Sequence, residues 1–188
     1  MPGMGRLIVR NFLKIAAGVD ITPLACALQQ KDHLWNSIPL RTTHDQSPHK
    51  EADDILLWFN EIPENIGDVV NDIQTVPYEA WDELPQCRQI VFDLMRRVEA
   101  VQLGRCIITR LKPGAKIEPH SDMGAPVSFY SRFQVCIQSL PGCNFVIEDE
   151  QVNFKAGEVW LINNSAEHAV YNNSADDRIV MIVDLRCA

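Results

Sequence analysis

Two histidines, an aspartate and an arginine carry the most legible chemistry of this chain. His120 and Asp122 stand in the run His-Ser-Asp, His168 follows after a long gap, and Arg178 lies ten residues beyond it. Two imidazoles and one carboxylate can occupy one face of a six-coordinate Fe(II), leaving positions for a chelating co-substrate and for O2. Arg178 adds a forked cation able to hold a carboxylate through two hydrogen bonds. The expectation is an oxygenase chemistry that draws on iron and a dicarboxylic keto acid.

The spacing must be served by backbone. Residues two apart on an extended segment project to one face, so His120 and Asp122 can bind one ion if they end a strand. Leu111 to Pro119 (Leu-Lys-Pro-Gly-Ala-Lys-Ile-Glu-Pro) turns the chain sharply before them. Arg178 opens the apolar run Ile179-Val-Met-Ile-Val. An arginine there is costly unless paired. Its partner is either Asp176 or Asp177 at the strand edge, or the distal carboxylate of a co-substrate such as 2-oxoglutarate. Arg132 and Gln134 alternate with Phe133 and Val135 and so share a face. If that face lines a barrel they can hydrogen-bond the co-substrate; a solvated sheet face explains them equally well. Trp160 and Phe145 read as core.

Residues 105–188 contain up to eight short strands, near 105–112, 116–120, 130–138, 144–149, 151–154, 158–163, 167–172 and 178–185. Turn signals such as Pro113-Gly114, Pro141-Gly142, Ala156-Gly157 and Asn163-Asn164 divide them. So many strands in so short a stretch predict a jelly roll, a double-stranded β-helix. Residues 1–104 read as a mainly helical extension packed on that core and shaping the substrate pocket. Thr22-Pro23 supplies a capping hydroxyl and a first-turn proline, and Ile55 to Phe59 is a buried strand or a short helix. Leu84 to Leu103 repeats apolar residues at helical spacing, with Gly104 able to close it. The fold class expected is mainly β with N-terminal helices. His44 and His49 sit with Asp45 in a polar loop over 39–50, read as a segment that can close over the site.

Composition excludes several functions. The net charge of −8 argues against a protein held by nucleic-acid phosphates, and Arg6, Arg10 and Lys14 form only a thin basic scatter. No stretch approaches the roughly 18 consecutive apolar residues of a membrane span. The start shows no secretory pattern. The six cysteines form no Cys-x-x-Cys pair, which favours reduced thiols and a cytoplasmic protein with no membrane partner.

Leu111 to Asp122, Arg132-Phe-Gln-Val, Gly157 to Asn172 and Asp177 to Leu185 together resemble the aspartyl/asparaginyl β-hydroxylase family. The resemblance covers roughly residues 105 to 186. It implies a cupin-like double-stranded β-helix using Fe(II), 2-oxoglutarate and O2, with succinate and CO2 as co-products. By the same match His120 and His168 are metal ligands, Arg178 holds 2-oxoglutarate, and Arg132 and Gln134 add co-substrate contacts. The animal protein-modifying members have glycine two residues after the first histidine. This chain has Asp122 there, which resembles the fuller triad of bacterial members. The implied reaction is hydroxylation of an unactivated C–H bond, on an amino-acid side chain that is free or within a peptide or protein. A non-catalytic jelly-roll module binding a metal or an acidic small ligand is the other reading. Arg178 separates the two, because a metal-only binder has no use for a co-substrate anchor.

Overall fold

The computed structural model describes residues 10–43, 47–62 and 72–188; Arg6, His44 and Asp45 lie outside them. The elements are β1 (Phe12–Ala16), α1 (Thr22–Gln30), a short 3-10 turn (Asp32–Leu34), β2 (Ala52–Phe59), β3 (Val76–Pro77), α2 (Glu79–Glu83), α3 (Gln86–Arg97) and β4 (Ala100–Leu111). They continue with β5 (Lys116–His120), α4 (Ala125–Phe129), β6 (Ser131–Gln138), β7 (Cys143–Ile147), β8 (Glu150–Val152), β9 (Val159–Ile162), β10 (His168–Asn172) and β11 (Arg178–Cys187).

Two antiparallel sheets result, the larger in the order β1-β9-β6-β11-β4-β2-β3 and the smaller in the order β5-β10-β7-β8. From β4 onward the chain passes back and forth between them, which is the double-stranded β-helix that the run of short strands predicts. Each strand expected after residue 105 is present, within a few residues at its ends.

Period-two alternation decides what each sheet face meets. Along β11, Ile179, Met181, Val183 and Leu185 pack with Leu24, Leu28, Val91 and Leu94 of the helices. The opposite face carries Arg178, Val180, Ile182 and Asp184 toward the space between the sheets. There Phe12, Leu111, Cys136 and Ile162 of the larger sheet meet Ile117, Phe145 and Val170 of the smaller one. The helices therefore cover one side of the larger sheet, and the other side is left to line the jelly roll.

Two boundaries differ from the sequence expectation. The division near Gly104 falls inside β4, and the residues before it supply β1, β2 and β3. The first hundred residues therefore extend the larger sheet at both ends as well as providing helices. Helix α3 also stops at Arg97, because Val98 leaves helical geometry and Glu99 takes a left-handed φ of 54°. Val101 keeps the helical spacing by coincidence and belongs to β4. Helix α1 begins with Thr22 itself, whose N–H donates to Asp20 Oδ1 at 3.1 Å, so the expected hydroxyl cap is replaced by a carboxylate.

All six cysteines are free and five are buried. Among the described residues no helix is long and apolar enough to cross a membrane.

Gly104 is explained by packing rather than by a helix end. A Cβ built there would lie 2.8 Å from the Tyr130 ring. The ring cannot step aside, since Tyr130 Oη donates to Ile73 O at 2.6 Å and accepts from Gln102 at 3.0 Å. Gly104→Ala is expected to cost about 1–3 kcal/mol, the usual range for overpacking a core. Urea unfolding would show it as a lower midpoint with an unchanged slope.

Candidate metal and co-substrate site

Strands β5 and β10 pair antiparallel with His168 opposite His120. That register brings residues distant in sequence into contact, and the two imidazole centroids lie 4.3 Å apart. His120 Nδ1 donates to Glu118 O at 2.7 Å, and His168 Nδ1 donates to Ala166 O at 3.0 Å. A carbonyl only accepts, so each bond puts the ring proton on Nδ1 and leaves Nε2 with a lone pair, the tautomer a metal requires. His120 Nε2 is buried, has no hydrogen-bond partner among the described residues, and lies 3.7 Å from Asp122 Oδ1. An unfilled buried acceptor of that kind suits a bound cation. One ligand atom from each of His120, Asp122 and His168 lies within 4.8 Å of the others. This donor set, two nitrogens and one oxygen, fits Fe(II).

Asp122 lies just beyond β5, held by its N–H donating to Asn164 O at 3.0 Å. Its Oδ2 accepts from Asn164 Nδ2 at 2.8 Å and from Arg132 Nη1, which leaves Oδ1 on the histidine side. Burial opposes ionisation of this carboxyl. The Arg132 cation, His168 and the Asn164 hydrogen bond outweigh it and hold Asp122 well below the usual carboxylate range. His168 is lowered by burial, against the pull of Asp122, and so favours the neutral form that binds metal.

Arg132 is held between two carboxylates. Its Nε and Nη2 donate to the two oxygens of Asp184, each at 2.8 Å, while Nη1 serves Asp122. Burial disfavours the Arg132 cation, but Asp122 and Asp184 together raise its pKa further above the normal value. Its face does line the jelly roll, as the alternation with Phe133 allows. The guanidinium, expected to contact a co-substrate, is committed to two carboxylates.

Arg178 is 2% exposed. Its Nη2 donates to Gln134 Oε1 at 3.1 Å, and the Phe145 and Phe154 rings stand 5.8 Å away. Among the described residues it forms no ion pair. The nearest cation to Asp177 is Arg110, at 4.0 Å, and Asp176 caps the Asp177 N–H, so neither supplies the strand-edge partner. Burial lowers the Arg178 pKa from its ordinary value. Arg178, Gln134, His120 and His168 border one cavity.

Sequence reasoning missed Asn164, Asp184 and Arg41 as individual participants. Asn164 appeared only as part of a turn. Asp184 ends the β11 alternation on the same face as Arg178, a signal that was available. Arg41 and His49 come from the loop over 39–50, which the sequence marked as able to close over the site, and both line the cavity. The His49 ring meets the His120 ring edge-on at 5.0 Å, and burial, then Arg41, holds the His49 pKa well below normal.

The same fold occurs in an oxidoreductase of the 2OG-Fe(II) oxygenase family from Burkholderia pseudomallei. That protein is 15% identical, with a TM-score of 0.55 over 94% of this chain and 84% of the other. A prolyl-4-hydroxylase from Pseudomonas putida is 13% identical, with a TM-score of 0.54 over 96% of this chain and 94% of the other. No curated protein sequence matches at a significant level. Architecture and donor set thus define a jelly roll with a candidate Fe(II) site. The aspartyl/asparaginyl β-hydroxylase family model matches residues 25–187, and the chain belongs to that family. It is a hydroxylase of the kind that uses Fe(II) and 2-oxoglutarate.

Asn164→Ala removes one anchor of Asp122 and leaves the three candidate ligands in place. Outer-shell partners of this type are worth about 10–100-fold in metal affinity. Calorimetry with Mn(II), an oxygen-inert stand-in, is expected to show a loss in that range, with an unchanged circular dichroism spectrum.

Proposed function

We propose that this protein hydroxylates an unactivated C–H bond of an amino-acid side chain, free or within a peptide or protein. In this reading His120, Asp122 and His168 hold the iron, and Arg178, steadied by Gln134, holds the distal carboxylate of 2-oxoglutarate. The observation that carries it is the buried Arg178 guanidinium, which lacks an ion-pair partner among the described residues and shares a cavity with the two histidines. A cation so placed is stable only with an anion of suitable reach, and a dicarboxylic keto acid with its other end at the metal supplies one. Iron with bound 2-oxoglutarate and O2 supplies the oxidising power for hydroxylation, releasing succinate and CO2.

The chain's own residues do the positioning. Glu118 and Ala166 carbonyls orient the two imidazoles. Asn164 and Arg132 fix one oxygen of Asp122 and so aim the other. Phe145 and Phe154 flank Arg178 and keep water from competing for its N–H groups, which strengthens its hold on a carboxylate. Phe145 also stacks on His168, with centroids 5.7 Å apart. Trp160 stacks on Phe154 at 5.2 Å and serves as wall.

Purified protein with Fe(II), ascorbate and O2 is expected to convert 2-oxoglutarate to succinate, slowly even without a prime substrate. Succinate no higher than from His168→Ala, with no 2-oxoglutarate binding by calorimetry, would defeat the proposal. Arg178→Ala is expected to weaken 2-oxoglutarate binding by roughly a hundredfold, from the 2–5 kcal/mol that truncating a buried charge partner costs. Its metal content should match wild type; loss of metal would mean that the arginine serves the metal site instead.

A further inference from the structure

Arg178 is the first residue of β11, and strand ends are where a ladder opens most readily. A buried cation without an ion-pair partner gains hydration if its rung opens, so fraying is a route by which the guanidinium leaves the cavity. Gln134 restrains the guanidinium itself. Two other side-chain amides restrain the backbone behind it. Asn172, buried at the end of β10, donates from Nδ2 to Asp176 O at 2.8 Å and to Leu111 O at 2.7 Å. Gln138, at the end of β6, donates from Nε2 to Asp177 O at 3.0 Å. Carbonyl oxygens only accept, so these partners fix the orientation of both amides.

The strand register shows what these bonds do. Leu111, the last residue of β4, pairs with Arg178, and Gln138 pairs with Ile179. Asn172 therefore ties the end of β4 to the turn that enters β11, while Gln138 ties the same turn to β6. Both carbonyls immediately before Arg178 are occupied, by donors from two different strands. Asn172 is itself held on every side. Its Oδ1 accepts from Ser174 N at 3.1 Å, from Ser174 Oγ at 2.6 Å and from Cys143 Sγ at 2.8 Å. Its backbone accepts from Gly114 N at 2.7 Å and donates to Ala115 O at 3.0 Å. A buried amide with all its donors and acceptors committed acts as a rigid brace.

We propose that Asn172 and Gln138 are positioning residues for the co-substrate anchor: by clamping Asp176 O and Asp177 O, they keep Arg178 turned into the cavity before 2-oxoglutarate arrives. The inference rests on the reading of Arg178 given above and deepens it. Neither amide is among the residues that line the cavity, so each acts on the co-substrate through Arg178. An anchor already in place spares the bound state the cost of ordering it, and affinity rises accordingly.

The test compares 2-oxoglutarate with pyruvate on the full chain loaded with Mn(II). Both present the same keto-acid end to the metal, but pyruvate has no distal carboxylate for Arg178. Solvent-proton relaxation falls as a ligand displaces water from Mn(II), so it reports both, even when binding is weak. Gln138→Leu and Asn172→Ser are each expected to bind 2-oxoglutarate about three- to tenfold more weakly than wild type, the size of one lost hydrogen bond. Pyruvate affinity should stay at the wild-type level. In Arg178→Met there is no anchor left to position, and adding either substitution should cause no further loss. Gln138 is only partly buried, and Gln138→Leu decides the question alone if circular dichroism shows Asn172→Ser unfolded. Three outcomes overturn the positioning role: undiminished 2-oxoglutarate binding in Gln138→Leu, equal losses for 2-oxoglutarate and pyruvate, or a further loss in the Arg178→Met background. Failure of wild type to bind 2-oxoglutarate, or an affinity that Arg178→Met leaves unchanged, would instead defeat the reading of Arg178 as anchor, so the two failures are distinguishable.

Discussion

The register of β11 is the constraint on which the rest of the site depends. The strand is buried on both faces between β4 and β6, and its alternation sends Arg178 and Asp184 to the same side. Six residues of extended chain separate the two by roughly 20 Å, so one strand supplies both a buried cation and the carboxylate that organises the metal side. A slip of one residue would turn both into the helix-packed core and bring Ile179 and Val183 into the cavity. The apolar helix-facing residues of β11 make that slip prohibitive.

From Asp184 a chain of charge leads to the metal ligands. Asp184 grips Arg132 with both oxygens, and Arg132 in turn holds Asp122, the sole carboxylate of the triad. One cation between two carboxylates leaves a net negative charge, which suits Asp122 to a bound metal cation. The arrangement also keeps Asp122 ionised despite its burial. Asp122 is thus placed by a second carboxylate on a different strand, through an arginine that belongs to neither.

Arg41 and His49 show how the residues before β4 enter the chemistry. They border the cavity from the open side, while β1 and β2 widen the larger sheet and α1 and α3 cover its outer face. The jelly roll therefore presents one arginine from its central strand and another from a loop that strand pairing holds nearby.

Much of this was legible along the chain. The eight strands after residue 105 could be read because turn residues interrupt apolar alternation at short intervals, a local signal that owes nothing to the fold. His120, Asp122, His168 and Arg178 could be read because their side-chain types have few uses in such a pattern. The end of α3 was not legible, since Val98 and Val101 keep the helical period while the backbone has already reversed at Glu99. Nor was the role of Arg132: its neighbours in sequence say only which face it occupies, and which carboxylates meet it depends on strands paired from elsewhere. The sequence by itself determined the strand pattern, the candidate metal-ligating side chains and the buried arginine, because these follow from periodicity and residue chemistry. Tertiary structure alone decided that Asp184 and Asn164 hold Asp122 in place, and that Arg41 and His49 reach the cavity. Asn164 lies 42 positions from Asp122 and Asp184 lies 52 from Arg132, and only the closed packing of the two sheets brings them within hydrogen-bonding distance.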